Sequence, residues 1–217
     1  MTAIGCESVE DVVAKQKPAV EKSFAALTPL AAKVKDLTPL ESNTFKANTP
    51  IVLDGPNANA MFIYAEDLAS PKDAPKDVPL RTIDSLPLLQ CASLLSSQHL
   101  FNDKVTRVAP SVASSYLGAC SNVKYALVIA TREYLRPMLQ LETKQFAPGK
   151  YRADVLVFDI ANAQLLGGFM VAATNDSRVS LLDGDQNHVQ RLIGNLESTT
   201  FDALRAEAKK NIPGVMP

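Results

Sequence analysis

The stretch "GKYRADVLVFDIANAQLLGGFMVAATN" (149–175) constrains this chain more than any other. Two β-rich runs, 149–160 and 164–175, flank the short loop "ANA", which is the pattern of a β-hairpin. Leu156, Phe158 and Ile160 alternate on one face of the first run, and Val155 and Val157 on the other. A strand that is apolar on both faces must be covered on both, so the hairpin predicts a central strand with a layer above and a layer below. Gly167-Gly168 inside the return strand predicts a bulge or a close backbone approach.

The rest of the chain supplies what could cover such a strand. Residues 7–40 carry Val9, Val12, Val13, Val20, Phe24, Leu27, Ala31 and Val34, many of them three or four apart, and predict helix. Pro18 predicts a kink or a fresh helix start, because it lacks an N–H and crowds the preceding turn. Thr28-Pro29 and Thr38-Pro39, inside two copies of "LTPL", read as N-cap and first-turn proline pairs. "AMFIYAED" (60–67) predicts a strand, and "LASPKDAPKDVPLRT" (68–82) an exposed loop. The apolar run 85–100 fits helix or strand; 109–123 predicts a helix, and "KYALVIATREYL" (124–135) a strand ended by Pro137. Residues 181–186 read as a turn, with Asp185 capping the helical pattern of Val189, Leu192, Ile193 and Leu196. Thr199 with Asp202 reads as the capping box of a separate last helix at 198–214. The fold class is α+β, with a three- to four-stranded, mostly antiparallel sheet and helices packed on it. The division is 1–6, then 7–45 as a helical arm or spacer, then 46–217 as the α+β domain.

Charge excludes one class of function. The net charge is −1 over 217 residues and the pI is near 6.1. No Lys/Arg run supplies the basic patch that phosphate backbones require, so no nucleic-acid partner is expected. No apolar run approaches the roughly 20 residues that cross a bilayer as a helix.

Few residues carry recognisable chemistry. Neither phosphate-cradling glycine loop is present, and there is no G-x-S-x-G elbow. Ser121 and Lys124 stand at S-x-x-K spacing without the companion elements and read as a helix-to-strand turn. Asp183, Asp185 and Asn187 resemble the start of a calcium loop, but His188 and Gly194 occupy positions that need Gly and Glu. There is no C-x-x-C pair, and His99 and His188 lie far apart in sequence, so no metal site is expected; no cofactor is expected either, and no catalytic residue is assigned. A His-dependent hydrolase built on His99 or His188, periplasmic or cytosolic, stays open as the alternative, because triads assemble in space. Arg132, Tyr134 and Arg136 are the candidate ligand-binding residues, since arginine beside tyrosine can hold a carboxylate or a sugar ring. In simple alternation Arg132 and Tyr134 share a face with Val128 and Ala130. Cys91 and Cys120, 29 residues apart, form a disulfide if the chain is exported; in a reducing compartment they are two buried thiols.

"AIGC" at 3–6 resembles the lipobox of bacterial lipoproteins, with Cys6 at the lipid-attachment position and Gly5 before the cut. The "GACSNVKYALVIATREY" stretch and the "VLVFD…LGGF" hairpin together resemble uncharacterised envelope lipoprotein domains of Gram-negative bacteria. The resemblance implies that Met1–Gly5 is the tail of a signal peptide. It places the protein in the cell envelope, on the periplasmic side of the outer membrane, anchored through lipid on Cys6. The resemblance implies a location and no activity; the expected function is a binding or scaffold module, with another envelope protein as a candidate partner. No oligomeric state follows from these residues.

Overall fold

In the computed structural model the two runs of the hairpin pair as read. The structure describes residues 7–45, 50–53, 58–73, 80, 86–95, 100–101, 104–105, 108–140, 145–179 and 187–212. In chain order the elements are α1 (Val9–Leu27), α2 (Leu30–Lys35), β1 (Thr44–Phe45), β2 (Ala60–Tyr64) and α3 (Leu86–Leu95). There follow β3 (Leu100–Phe101), β4 (Lys104–Val105), α4 (Pro110–Ser121), β5 (Tyr125–Leu135), β6 (Met138–Gln140) and β7 (Gln145–Ala147). The chain closes with β8 (Lys150–Asp159), β9 (Gln164–Thr174) and α5 (His188–Asn211). Short 3-10 turns stand at Ala65–Asp67 and Pro71–Asp73.

Among the described residues five strands form one sheet in the order β1-β9-β8-β5-β2, with β8 in the middle as its two-faced pattern requires. The β2–β5 pair is parallel and the other three are antiparallel, so the sheet is mixed and has one strand more than expected. β3–β4 and β6–β7 are separate two-stranded ribbons. The parallel pair follows from connectivity: α3 and α4 lie between β2 and β5, and a parallel return needs such a crossover.

Side-chain alternation sorts the core into two layers. Leu156 and Phe158 of β8, with Ile160 just after the strand, face α1, α3 and α4, in one cluster with Phe24, Leu88 and Leu117. Val155 and Val157 face the other way, toward Leu196, Leu204 and Ala208 of α5. Each large apolar side chain removed from water contributes about 1.5–3 kcal/mol.

The segment 7–45, read as an arm or spacer, is part of this core. Val12, Val20, Phe24, Leu27 and Leu30 are all buried, against α4 among others. α1 starts at a capping box: Asp11 N–H donates to Ser8 Oγ at 3.2 Å, and Ser8 N–H donates to Asp11 Oδ2 at 3.1 Å. The Ser8 N–H, and the Ser8 hydroxyl donating to the same Oδ2 at 2.8 Å, hold the Asp11 carboxyl below its ordinary pKa. Pro18 neither ends nor restarts the helix. It lies on the exposed side, where a helix can bow outward, while the buried stripe keeps both halves on one surface. Of the two Thr-Pro start signals, Thr28-Pro29 does stand at a helix start, α2, but without the expected side-chain cap. Thr28 donates its hydroxyl back to Phe24 O at 3.3 Å, closing α1 and not capping α2, and no helix begins at Thr38-Pro39. Thr199 lies inside α5, which runs unbroken from His188, and its hydroxyl donates to Leu196 O at 3.0 Å. The proposed capping box is therefore mid-helix, overridden by burial of Leu192, Leu196, Thr200 and Leu204 along one stripe.

Gly167-Gly168 does both things foreseen. Between Val157 and Phe158 the register slips, so that Val157 faces Gly167 and Phe158 faces Leu165. β1 also crosses so closely that a Cβ on Gly167 would lie 2.2 Å from Thr44 O.

Candidate functional site

A bulge in β5 decides where its polar residues go. Thr131 pairs with Ala153, but Glu133 pairs with Arg152 and Tyr134 with Tyr151, so Arg132 is the extra residue. Before the bulge, even-numbered side chains of β5 share the face of Leu156; after it, odd-numbered ones do. The alternation that put Arg132 and Tyr134 on one face is therefore broken between them. Tyr134 turns to the α5 side and packs there, Arg132 stays on the opposite face, and Arg136 is exposed beyond the strand end. The three candidate residues do not converge. A β-bulge re-aims side chains in this way.

Arg132 is engaged by the protein itself. Its Nε donates to Asp154 Oδ2 at 2.7 Å, and its Nη2 also contacts that oxygen. The same oxygen accepts Leu40 N–H at 3.0 Å. Asp154 is buried, so these donors offset the cost of taking a carboxylate from water. The pair also ties the segment around Leu40 to the sheet.

Beside this pair opens a groove of about 780 Å³, within the usual range of ligand sites. Met170, Val171 and Ala172 of β9 line it. One wall is α5, with Ala203, Ala206, Glu207 and Lys210 at helical spacing. The other is the polar end of the sheet, with Arg132, Glu133, Arg152 and Asp154. Pro39, Leu40 and Asn43 close one end. Asn43 holds that corner: its Oδ1 accepts Met170 N–H at 2.9 Å, and its Nδ2 donates to Asn211 Oδ1 at 3.0 Å. The three cations of the lining each have an anionic neighbour. Arg132 pairs with Asp154, Arg152 with Glu133 at 3.8 Å, and Lys210 with Glu207 at 3.3 Å.

One of the two signals weighed for nucleophilic chemistry lies beyond description. His99 falls outside the described residues, as do Asp183, Asp185 and Cys6. His188 is the half-buried first residue of α5, away from the groove lining, and its Nδ1 has no hydrogen-bond partner among the described residues. Ser121 donates to Gly118 O at 3.1 Å at the end of α4, as a helix-to-strand turn does. Among the described residues no three His, Cys, Asp or Glu side chains cluster as a metal site, and no helix is long and apolar enough to cross a membrane.

Cys91 of α3 and Cys120 of α4 meet in the core as a disulfide, Cα to Cα 6.6 Å, both buried. The bridge joins two helices on the α1 side of the sheet, away from the groove.

Arg152, Asp154 and Asn43 were not singled out from sequence. "YRADV" did hold a signal: Arg152 and Asp154 alternate on the face that Leu156 and Phe158 continue, marking where that face turns polar.

The fold and the groove together define a disulfide-bearing α+β domain with an open sheet edge. Compared with family models, curated proteins and solved structures, the chain has no match.

Proposed function

We propose that this chain is a cell-envelope lipoprotein, anchored through Cys6 on the periplasmic side of the outer membrane, whose α+β domain is a binding or scaffold module. The observation that carries the reading is the Cys91–Cys120 bridge in the core. Structural disulfides persist in oxidising compartments and are rare in the cytosol. With those two cysteines paired, Cys6 is the one left for another role, and lipid attachment gives it one. Acyl chains supply membrane affinity of about 0.8 kcal/mol per buried CH₂, so anchoring needs no spanning helix. The groove along β9 gives the domain a concave surface on which to bind.

The test is metabolic labelling with an alkyne fatty acid in the native bacterium. The expected outcome is a labelled protein in the outer-membrane fraction, and loss of both label and membrane association in Cys6→Ser. Unlabelled, soluble protein in both strains would overturn the anchor.

A further inference from the structure

We propose that the open edge of β9 takes up an extended peptide segment of a partner protein, which adds to the sheet as a further strand. This deepens the reading of the domain as a binding module and does not depend on its location.

The two sides of β9 are paired unevenly. The inner side of β9 pairs with β8 from Gln164 to Thr174. On the outer side β1 reaches only Gly168 and Gly167. Beyond it two asparagine side chains act as stand-ins for a neighbouring strand. Asn43 Oδ1 accepts Met170 N–H at 2.9 Å, and Asn195 Oδ1 accepts Asp176 N–H at 3.0 Å. Outward-facing backbone groups recur at every second residue of a strand, so Ala172 and Thr174 lie between these two amide caps. Among the described residues neither has an outer backbone partner. From Met170 to Asp176 the gap is about 20 Å at the usual rise, room for a strand of five or six residues. Edges are commonly defended by lysine, proline or a bulge; Ala172 and Thr174 are small, uncharged and exposed.

The walls state the chemistry of the guest. Its side chains would alternate, as those of β9 do. Those turned to α5 lie over Ala203 and Ala206, whose small side chains leave room for large apolar groups. Those turned the other way lie near Arg152 and Glu133 and must be polar. A small anion suits the site less well, because the lining cations are already paired and an anion would have to break those pairs. The neutral amides of a peptide need break nothing, and strand addition draws affinity from main-chain hydrogen bonds. A second folded copy would bring its own α5 and its own 39–43 segment to the same concave gap, so a single strand fits it better.

The experiment selects peptides from a phage library of random heptapeptides on the immobilised full chain, then measures the fluorescein-labelled winner by anisotropy. Ala172→Pro removes one outer N–H without touching the β8 ladder. Ala206→Arg fills the groove from α5 and leaves the backbone alone. Both should weaken binding about tenfold or more at unchanged melting temperature, and the peptide should slow amide exchange at Ala172 and Thr174. The proposal is overturned if no peptide is enriched or if Ala206→Arg binds the winner as wild type does. It is also overturned if the wild-type chain sediments as a dimer that Ala172→Pro dissociates, which would assign the edge to a second copy.

Discussion

At Asp154 a carboxylate is buried with two kinds of donor, the Arg132 guanidinium and the Leu40 N–H. Removing one member of a buried ion pair costs about 3–5 kcal/mol. The Arg132 side chain keeps 34% of its exposure, so water screens part of that loss. Arg132→Met is therefore expected to lower unfolding free energy by about 2–3 kcal/mol in urea titrations. The double variant Arg132→Met/Asp154→Leu should recover all but about 1 kcal/mol, the cost of leaving the Leu40 N–H without its acceptor. Additive losses would contradict the pairing. Tyr151 gives a pH test. Burial, then the neighbouring Tyr64, push its phenol far above the ordinary range, although its contact with the Thr131 hydroxyl at 3.0 Å opposes this. The folded state thus holds this proton where the unfolded state, near pH 10, releases it. The contribution is intact below pH 10 and is lost as pH rises beyond it, by up to about 1.4 kcal/mol per unit. Urea titrations at pH 9 and 11 should show a smaller loss in Tyr151→Phe than in wild type. At this scale Cys91 and Cys120 were legible as a candidate pair, and the fold is what brings them together. The sequence was not legible at Tyr134, because one bulged residue reverses every assignment after it, and pairing across β5 and β8 sets the bulge.

Among the elements, β8 and β9 were readable because both signals they need are local: alternation within a run and a three-residue loop between runs. α4 and the start of α5's pattern were readable for the same reason. The single run of α5 was not, since Thr199 and Asp202 carry a genuine local start signal that the buried stripe outweighs. The parallel β2–β5 pair was hidden too, because strand order depends on how α3 and α4 cross the sheet. Gly167 gives the element-scale prediction. Its φ is +152°, in the region that side chains avoid, and Thr44 O occupies the space of a Cβ. Gly167→Ala should cost about 2–3 kcal/mol and release β1, read as faster amide exchange at Met170, whose N–H depends on Asn43 just before β1. Unchanged stability and exchange would mean that β1 is not held by this crossing.

The whole molecule is two helical layers on a mixed sheet, with the Cys91–Cys120 bridge on one side and the groove on the edge near the other. In the chain-entropy model a bridge closing a loop of this size contributes about 3–4 kcal/mol, a large share of what a domain usually has. A sheet edge left open over Ala172 and Thr174 suits a protein that binds by extending its sheet, and the groove was not legible because α5, β9 and residues 39–43 meet only in the fold. Export with a lipidated Cys6 is tested by thiol counting on unfolded protein from its native cells. No alkylated cysteine is expected before reduction, two after it, and an intact mass raised by lipid at Cys6. Three cysteines alkylated without reduction, at the mass of the unmodified chain, would contradict it.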